Sequence, residues 1–407
     1  MKKLRIFSIS ILISLLYCFV TIFSQGWELQ VSNTTQQLKG LHAVNESEAW
    51  ACGDAGVVLH TTDEGNTWTQ NILTGADLHS IVFKDAVTGV IVGDGGVIFR
   101  TDNGGASWAM VNSTTGSQLR AVSWGDGDLV WAAGRDGAIV KSVDAGQTWT
   151  SLNSGTTARF RGVAAFGTSK AWAVGEDGII KFTSDGGINW ENQNSTTFDD
   201  LHDIQFLSEM VGFAGGSGSK IIFTNNGGQT WVSRSTGIAM GINGIFFLDE
   251  NQGWAVSDVG TIYVTSNGGI NWTTQQSNTT QTLNEVFFLS LNAGWAVGDL
   301  GTIIHYNVPV TNIETQEGSL ISYRLFQNYP NPFNPSTTIR FSVLESSFIN
   351  LSIFNSLGEK IEELVNEVKA PGMHTIEFNA KDLSSGTYFY KIQTTNFTQT
   401  KKLILLK

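Results

Sequence analysis

Six tryptophans, Trp68, Trp108, Trp149, Trp190, Trp231 and Trp272, recur at intervals of 40 or 41 residues. Each closes the same phrase. Seven residues earlier stands a hydroxyl residue: Thr61, Thr101, Ser142, Thr183, Thr224 or Thr265. Five earlier stands Asp63, Asn103, Asp144, Asp185, Asn226 or Asn267, and three earlier always a glycine. A second phrase, a small-residue turn after an apolar run, occurs seven times. It reads "GDAG" at Gly53, "GDGG" at Gly93, "GRDG" at Gly134, "GEDG" at Gly175, "GGSG" at Gly215, "SDVG" at Ser257 and "GDLG" at Gly298. Seven turns against six tryptophan phrases leave one unit incomplete. Its missing partner is at the other end, where Trp27 precedes Trp68 by 41 residues. The last unit is therefore split between "GWAVGDLGTIIHYN" and "GWELQ".

A period near 41 with short apolar runs predicts four strands per unit rather than a helical solenoid. Sharing one unit between the chain ends closes a ring and leaves only short, protected edges. The chain is thus read as all-β, with a seven-bladed β-propeller over residues 25–308. The 45 glycines and 13 tryptophans among 407 residues fit many tight turns and buried rings. The tryptophan phrase has a fold-level task at each position. Glycine permits positive φ, Asp or Asn accepts loop amides, and Trp fills the space between blades. A device repeated six times is a fold element, not a catalytic centre.

The N-terminus reads as an export signal over residues 1–24. Lys2, Lys3 and Arg5 precede the apolar run Ile6 to Phe23, with cleavage after Ser24. A membrane anchor is the alternative for an apolar run of this length. Loss of Cys18 with the signal leaves Cys52 alone, so no intrachain disulfide is expected. Cys52 in "AWACGD" is read as a packed small apolar residue. Between Gln25 and Val310 there are 12 Lys and Arg against 27 Asp and Glu; from Thr311 on there are nine of each. So acidic a body has no phosphate-neutralising surplus, and nucleic acid is not expected as a partner. The propeller histidines His42, His60, His79, His202 and His305 lack zinc spacing. "GDGD" at Gly125–Asp128 is read as a polar turn. No metal and no cofactor are expected.

One recurring position is not explained by the fold. The first strand of each unit begins with an apolar residue followed by a polar one: Lys39, His79, Arg120, Arg161, His202, Asn243 and Asn284. In a propeller the first strand lines the central channel, so these seven side chains converge at one mouth. Long polar residues at strand ends also satisfy turn carbonyls, and that structural reading stands beside a functional one. The functional reading is a site for an anion or a peptide carboxylate. The polar loops before each first strand, such as "VNSTTGSQ" and "QNSTTFDD", form a second candidate surface.

The unit "LRAVSW … WAAGRDG … SVDAGQTW" resembles the photosystem II assembly-factor propellers, and its tryptophan phrase resembles the Asp box of sialidase-type (BNR) repeats. A sialidase site resembles an arginine triad, a Tyr/Glu pair and an Arg-Ile-Pro signature. Here no proline precedes Pro309, and the propeller's tyrosines are Tyr263 and Tyr306. In the assembly-factor family an arginine patch is associated with a partner polypeptide. Arg120 and Arg161 match its first-strand arginine; Lys39, His79, His202, Asn243 and Asn284 depart from it.

The repeat ends at a polar linker over residues 309–322. All five prolines of the chain lie from Pro309 on. Residues 323–407 predict a small Ig-like β-sandwich, with strands at "INLSIFN", "HTIEFNA", "GTYFYKI" and "KKLILLK". This segment resembles the C-terminal sorting domain of the type IX secretion system of Bacteroidota-type bacteria. The matching residues are Asn331, Pro332, Phe333, Asn334, Pro335, Gly358, Gly386, Lys401 and Lys402. The resemblance implies a secreted or outer-membrane surface protein whose tail engages the secretion machinery. A photosystem client is not expected beside such a tail. The expected function is a monomeric, non-enzymatic binding propeller for a protein, peptide or glycan. The alternatives are a surface glycoside hydrolase of sialidase-like type and an assembly factor for other exported proteins.

Overall fold

The computed structural model describes residues 26–307 apart from 236, and residues 323–405 apart from 327, 329, 330, 332, 345, 356, 357, 395 and 396. The chain divides into two compact units, one up to Val310 and one from Thr311 on. The expected export signal at residues 1–24 lies outside the described residues, as do the whole linker at 309–322 and Pro332.

The first unit is a ring of seven four-stranded antiparallel sheets. Blades 1 to 6 each take consecutive strands, beginning at Leu38, Leu78, Leu119, Phe160, Leu201 and Ile242. Blade 7 combines Leu283–Ser290, Ala293–Gly298 and Ile303–Asn307 with Gly26–Gln30 as its outer strand. The split unit therefore closes the ring as its two phrases require, with Trp27 facing Tyr306 and Gln30 facing Ile303.

The tryptophan phrase folds as a stapled turn. In all six copies the Ser or Thr hydroxyl accepts the glycine N–H at 2.9 Å. Those six glycines have φ between +76° and +90°, where a Cβ is disfavoured. The Asp or Asn oxygen accepts the N–H four residues on. In the Phe182–Trp190 copy, bonds from the Asn189 backbone and side chain hold the Asp185 carboxyl down at about 2. The tryptophan that follows packs on the preceding blade. Trp149 clusters with Val90 and Val92 of blade 2, and Trp231 with Trp172 and Val174 of blade 4. Trp108 and Trp190 meet Trp50 and Trp131 edge-on, both at 5.8 Å. Trp27 does the same for the split blade, clustering with Trp254 and Val256 of blade 6. Its indole donates to Gln275 of blade 6 at 3.1 Å, and Gln30 accepts from Trp68 of blade 1 at 3.0 Å. The closing strand is thus held on both flanks.

The loops before the first strands are tied down by their own hydroxyls and by the turns beneath them. The hydroxyls of Ser113 and Ser195 reach the carbonyls of Thr115 and Thr197, both at 3.0 Å. A Cβ on Gly96 would stand 2.1 Å from the Thr115 carbonyl oxygen, so this loop seats directly on the turn glycine. Cys52 is fully buried, and burial pushes its thiol pKa up. Asp128 of "GDGD" is ion-paired with Lys84 at 2.6 Å.

The second unit is a sandwich. One sheet holds Arg324–Leu325, Ser336–Val343 and Gly372–Asn379; the other holds Lys360–Lys369, Ser347–Phe354, Gly386–Gln393 and Thr398–Leu405. The strand Lys360–Lys369, "KIEELVNEVK", was not expected from the sequence. It is an edge strand exposed along most of its length, so no apolar alternation marks it, and its charges blunt the open edge. The sorting-motif residues are woven into this sandwich. Asn331 accepts the Ile404 N–H at 2.8 Å, and the buried Phe333 donates its N–H to the Ile404 carbonyl at 2.9 Å. Lys401 and Lys402 lie on the last strand, opposite Tyr390 and Phe389. Gly386 pairs with Leu405, and Gly358 occupies a turn at φ +82°.

Trp27 is 1 % exposed and closes the ring. Trp27→Ala is expected to cost about 3–5 kcal/mol, the usual loss for a buried tryptophan. Urea unfolding monitored by tryptophan fluorescence measures it. A change under 1 kcal/mol would mean the ring does not depend on this seam.

Candidate functional site

The seven first strands enclose a central channel of about 600 Å³. All seven ring residues line it, together with Asp203, Glu285, Phe246, Phe287 and His42. The ring position therefore does converge, but its members do different things.

Three of them stitch blades together. His202 Nδ1 donates to the Ile242 carbonyl at 2.9 Å, Asn243 to the Leu283 carbonyl at 3.0 Å, and Asn284 to the Leu38 carbonyl at 2.8 Å. Each bond reaches the apolar residue that opens the next blade. A carbonyl only accepts, so His202 carries its proton on Nδ1 and its Nε2 accepts from Ser217 at 3.1 Å. Burial, then the nearby Arg161 charge, lowers the His202 pKa.

A second regularity governs the rest. Fifteen residues after each ring position comes the residue that follows the blade's second strand: Asp54, Asp94, Arg135, Glu176, Ser217, Asp258 and Asp299. Lys39 is ion-paired with Asp54 and lies 3.3 Å from Asp77. His79 meets Asp94 at 2.7 Å, Asn243 meets Asp258 at 3.2 Å, and Asn284 meets Asp299 at 3.2 Å. In blade 4, Arg159 takes Glu176 at 3.3 Å and Arg161 takes Asp200 at 3.0 Å.

Blade 3 breaks the pattern. Its turn reads "GRDG", so the partner position facing Arg120 is Arg135 rather than an acid. Among the described residues, no carboxylate forms an ion pair with Arg120 or Arg135. Arg120 donates its Nε–H to Gln118 at 2.9 Å, and Gln118 in turn donates to Asp94. This fixes the guanidinium while leaving its terminal N–H groups uncommitted. Burial, then Arg161, Arg159 and Arg135, lowers the Arg120 pKa. The Nε atoms of Arg159 and Arg161 are buried and make no hydrogen bond. Four guanidinium groups thus cluster on blades 3 and 4, of which Arg159 and Arg161 are ion-paired, with Glu176 and Asp200.

Blades 5 and 7 hold charge in the channel that the ring reading missed. Asp203 of blade 5 and Glu285 of blade 7 occupy the third position of their first strands; the other five blades have Gly40, Ser80, Ala121, Gly162 and Gly244 there. Asp203 accepts the N–H groups of Ile204 and Ile245 at 2.7 and 2.9 Å, and Glu285 accepts that of Val286 at 3.0 Å. Among the described residues neither has a cationic partner. Burial raises both carboxyls, and the Asp203 charge raises Glu285 further. The signal was present in the sequence as two acids at a position otherwise reserved for small residues. Deeper still, Phe246 and Phe287 meet at 4.8 Å and His42 lies 4.7 Å from Phe287. Burial lowers the His42 pKa to about 4, which keeps it neutral.

Comparison with known proteins places both units. Residues 25–120 and 69–199 match the family Photosynthesis system II assembly factor YCF48, and residues 327–406 match the secretion system C-terminal sorting domain. The chain carries a YCF48-like propeller and a secretion-system sorting domain. Two curated relatives of the propeller are the chloroplastic photosystem II stability/assembly factors HCF136 of Oryza sativa subsp. japonica and Arabidopsis thaliana. They are 37 % and 34 % identical over 59 residues, 14 % of this chain and 14 % and 15 % of theirs. The match therefore spans only about a seventh of the length of those relatives. A solved structure of YCF48 bound to D1 peptide superposes with a TM-score of 0.60 at 23 % identity, covering 69 % of this chain and 97 % of its own. YCF48 from Cyanidioschyzon merolae gives 0.57 at 18 %, covering 69 % and 98 %. The WD40 propeller of Doa1 gives 0.58 at 12 %, covering 71 % and 99 %. At these identities the likeness establishes the fold of the YCF48-like propeller. The sorting domain marks the chain for export to the cell surface or beyond.

Folding raises the Glu285 carboxyl above its unfolded value. Its contribution to stability is complete below the ordinary glutamate range and is lost as pH rises through the raised value. Glu285→Gln removes that loss while keeping an acceptor for Val286. The variant is expected to melt several degrees above the wild type at pH 7.5, with the gap closing toward pH 4. A gap that is independent of pH would contradict this assignment.

Proposed function

We propose that this is an exported, non-enzymatic binding protein whose channel mouth takes a carboxylate-bearing peptide. The observation that carries the proposal is the arginine at position 135 where five other blades have an acid, so that among the described residues Arg120 and Arg135 form no ion pair while Lys39, His79 and Arg161 do. An uncompensated arginine pair in a partly desolvated mouth favours bidentate carboxylate recognition. The acidic remainder of the propeller concentrates this attraction at one place. A YCF48 has been solved with a peptide bound, which supports a peptide over a glycan for this propeller. The chain is organised as a removable signal at 1–24, the propeller at 25–308, a linker at 309–322 and the sorting domain at 323–407. The protein acts as a monomer and engages the type IX machinery through its tail.

Binding of fluorescently labelled peptides with free and amidated C-termini tests this. Free-carboxylate or acidic peptides are expected to bind, and Arg120→Ala with Arg135→Ala to weaken them by about tenfold or more, since hydrogen bonds to charged groups contribute about 1.5–3 kcal/mol each. Removing two mutually repelling cations leaves the melting temperature unchanged or raised. Unchanged affinity in the double variant would remove the mouth as the site. Turnover of a sialoside or glucan oligosaccharide, lost on replacing one carboxylate, would favour the hydrolase instead.

A further inference from the structure

At the position after each ring residue, the first strands of neighbouring blades approach closely. A Cβ on Gly40 would stand 2.8 Å from Ser80 of blade 2, and one on Gly162 would stand 3.1 Å from Asp203 of blade 5. One on Gly244 would stand 2.9 Å from the Asn284 carbonyl oxygen of blade 7. Gly, Ser or Ala fills this position in five blades, so the seams do not call for charge there. Blades 5 and 7 nonetheless carry Asp203 and Glu285, both lining the channel.

The two acids converge on the blade that separates them. Asp203 accepts the Ile245 N–H of blade 6 at 2.9 Å, and Glu285 Oε1 would stand 3.1 Å from a Cβ on Gly244, the residue before Ile245. Three of the four carboxyl oxygens each accept one backbone N–H, from Ile204, Ile245 and Val286. Among the described residues the fourth, Glu285 Oε2, has no donor, and no cation pairs with either acid. An unmatched carboxylate away from solvent is costly, so the channel is short of a positive group.

The neighbouring side chains indicate its kind. Phe287 lies two residues beyond Glu285 and Phe246 two beyond Gly244, so both rings share the channel face of their strands with the acids. The rings are half-buried and meet at 4.8 Å. A ring face attracts a cation. A hard metal ion takes about six or more oxygens, which this wall does not offer. An alkylammonium needs only a few acceptors and brings an apolar stem for the rings.

We infer that the channel takes a peptide ending in lysine. Its carboxylate sits at Arg120 and Arg135, its side-chain ammonium against Asp203 and Glu285, and its stem along Phe246 and Phe287. This rests on the carboxylate reading above and specifies the residue that bears the carboxylate. Both acids directly follow ring residues, His202 and Asn284. The ammonium subsite therefore lies one residue, about 3.3 Å of strand, below the ring. The C-terminal residue's own side chain spans that depth.

The test uses the full chain from Gln25 on and two labelled alanine pentapeptides with free C-termini. One ends in lysine, the other in norleucine, which keeps the stem and lacks the charge. The lysine peptide is expected to bind about tenfold more tightly, as for a hydrogen-bonded charge. Glu285→Gln keeps the acceptor for Val286 and is expected to cut that preference to about threefold or less. Equal affinity of the wild type for both peptides, or a preference that survives Glu285→Gln, overturns the inference and leaves the carboxylate site standing. If neither peptide binds the wild type, the carboxylate reading falls. Calorimetry with n-butylammonium and 1-butanol, which carry no carboxylate, then decides the ammonium subsite. Tighter binding of the amine, lost in Glu285→Gln, upholds the subsite; no difference between the two overturns it.

Discussion

The molecule depends on one contact repeated around a circle: the tryptophan of each blade's outer seam buried against the blade before it. A four-stranded sheet on its own exposes two faces and cannot bury enough apolar surface to fold. Stacking against neighbours gives every sheet two covered faces, but only if the stack closes. Closure falls to Gly26–Gln30, a five-residue strand from the opposite end of the chain, seated through Trp27 on blade 6 and through Gln30 on blade 1. The stapled turns serve this contact. Each fixes the backbone just before the tryptophan, so the ring arrives in its slot already ordered and loses less entropy on burial.

This explains why the fold was legible and the site only partly so. Seven near-identical demands write a period into the sequence, and the split unit follows from counting turns against tryptophans. The ring position was legible for the same reason, since it too recurs. Its chemistry was not, because a list of polar residues does not say which already have partners. His202, Asn243 and Asn284 are occupied in holding the next blade, whereas Arg120 is not. The deciding residue was Arg135, visible as the one basic residue among the seven that follow the second strands. Asp203 and Glu285 were hidden in another way, as departures from a column of small residues never aligned for that purpose. In the tail, Lys360–Lys369 carries no alternation because neither of its faces is fully buried.

A closed ring of equal blades has a mouth with near sevenfold symmetry, and such a mouth recognises nothing in particular. Discrimination requires breaking the equality, and the fold tolerates this only where a side chain leaves the seams untouched. The channel-facing positions and the exposed turn residues satisfy that condition; the stapled turns and seam tryptophans do not. Departures from the repeat are therefore the places to look for function. They fall on blades 3 and 4 as arginine and on blades 5 and 7 as buried acid.

These departures also form a field. Arg120 and Arg161 of blades 3 and 4 and the two buried carboxyls of blades 5 and 7 line one space of about 600 Å³. In so confined a volume the charges are poorly screened by salt. Burial raises both carboxyls, so each is ionised less readily than a carboxyl in solvent.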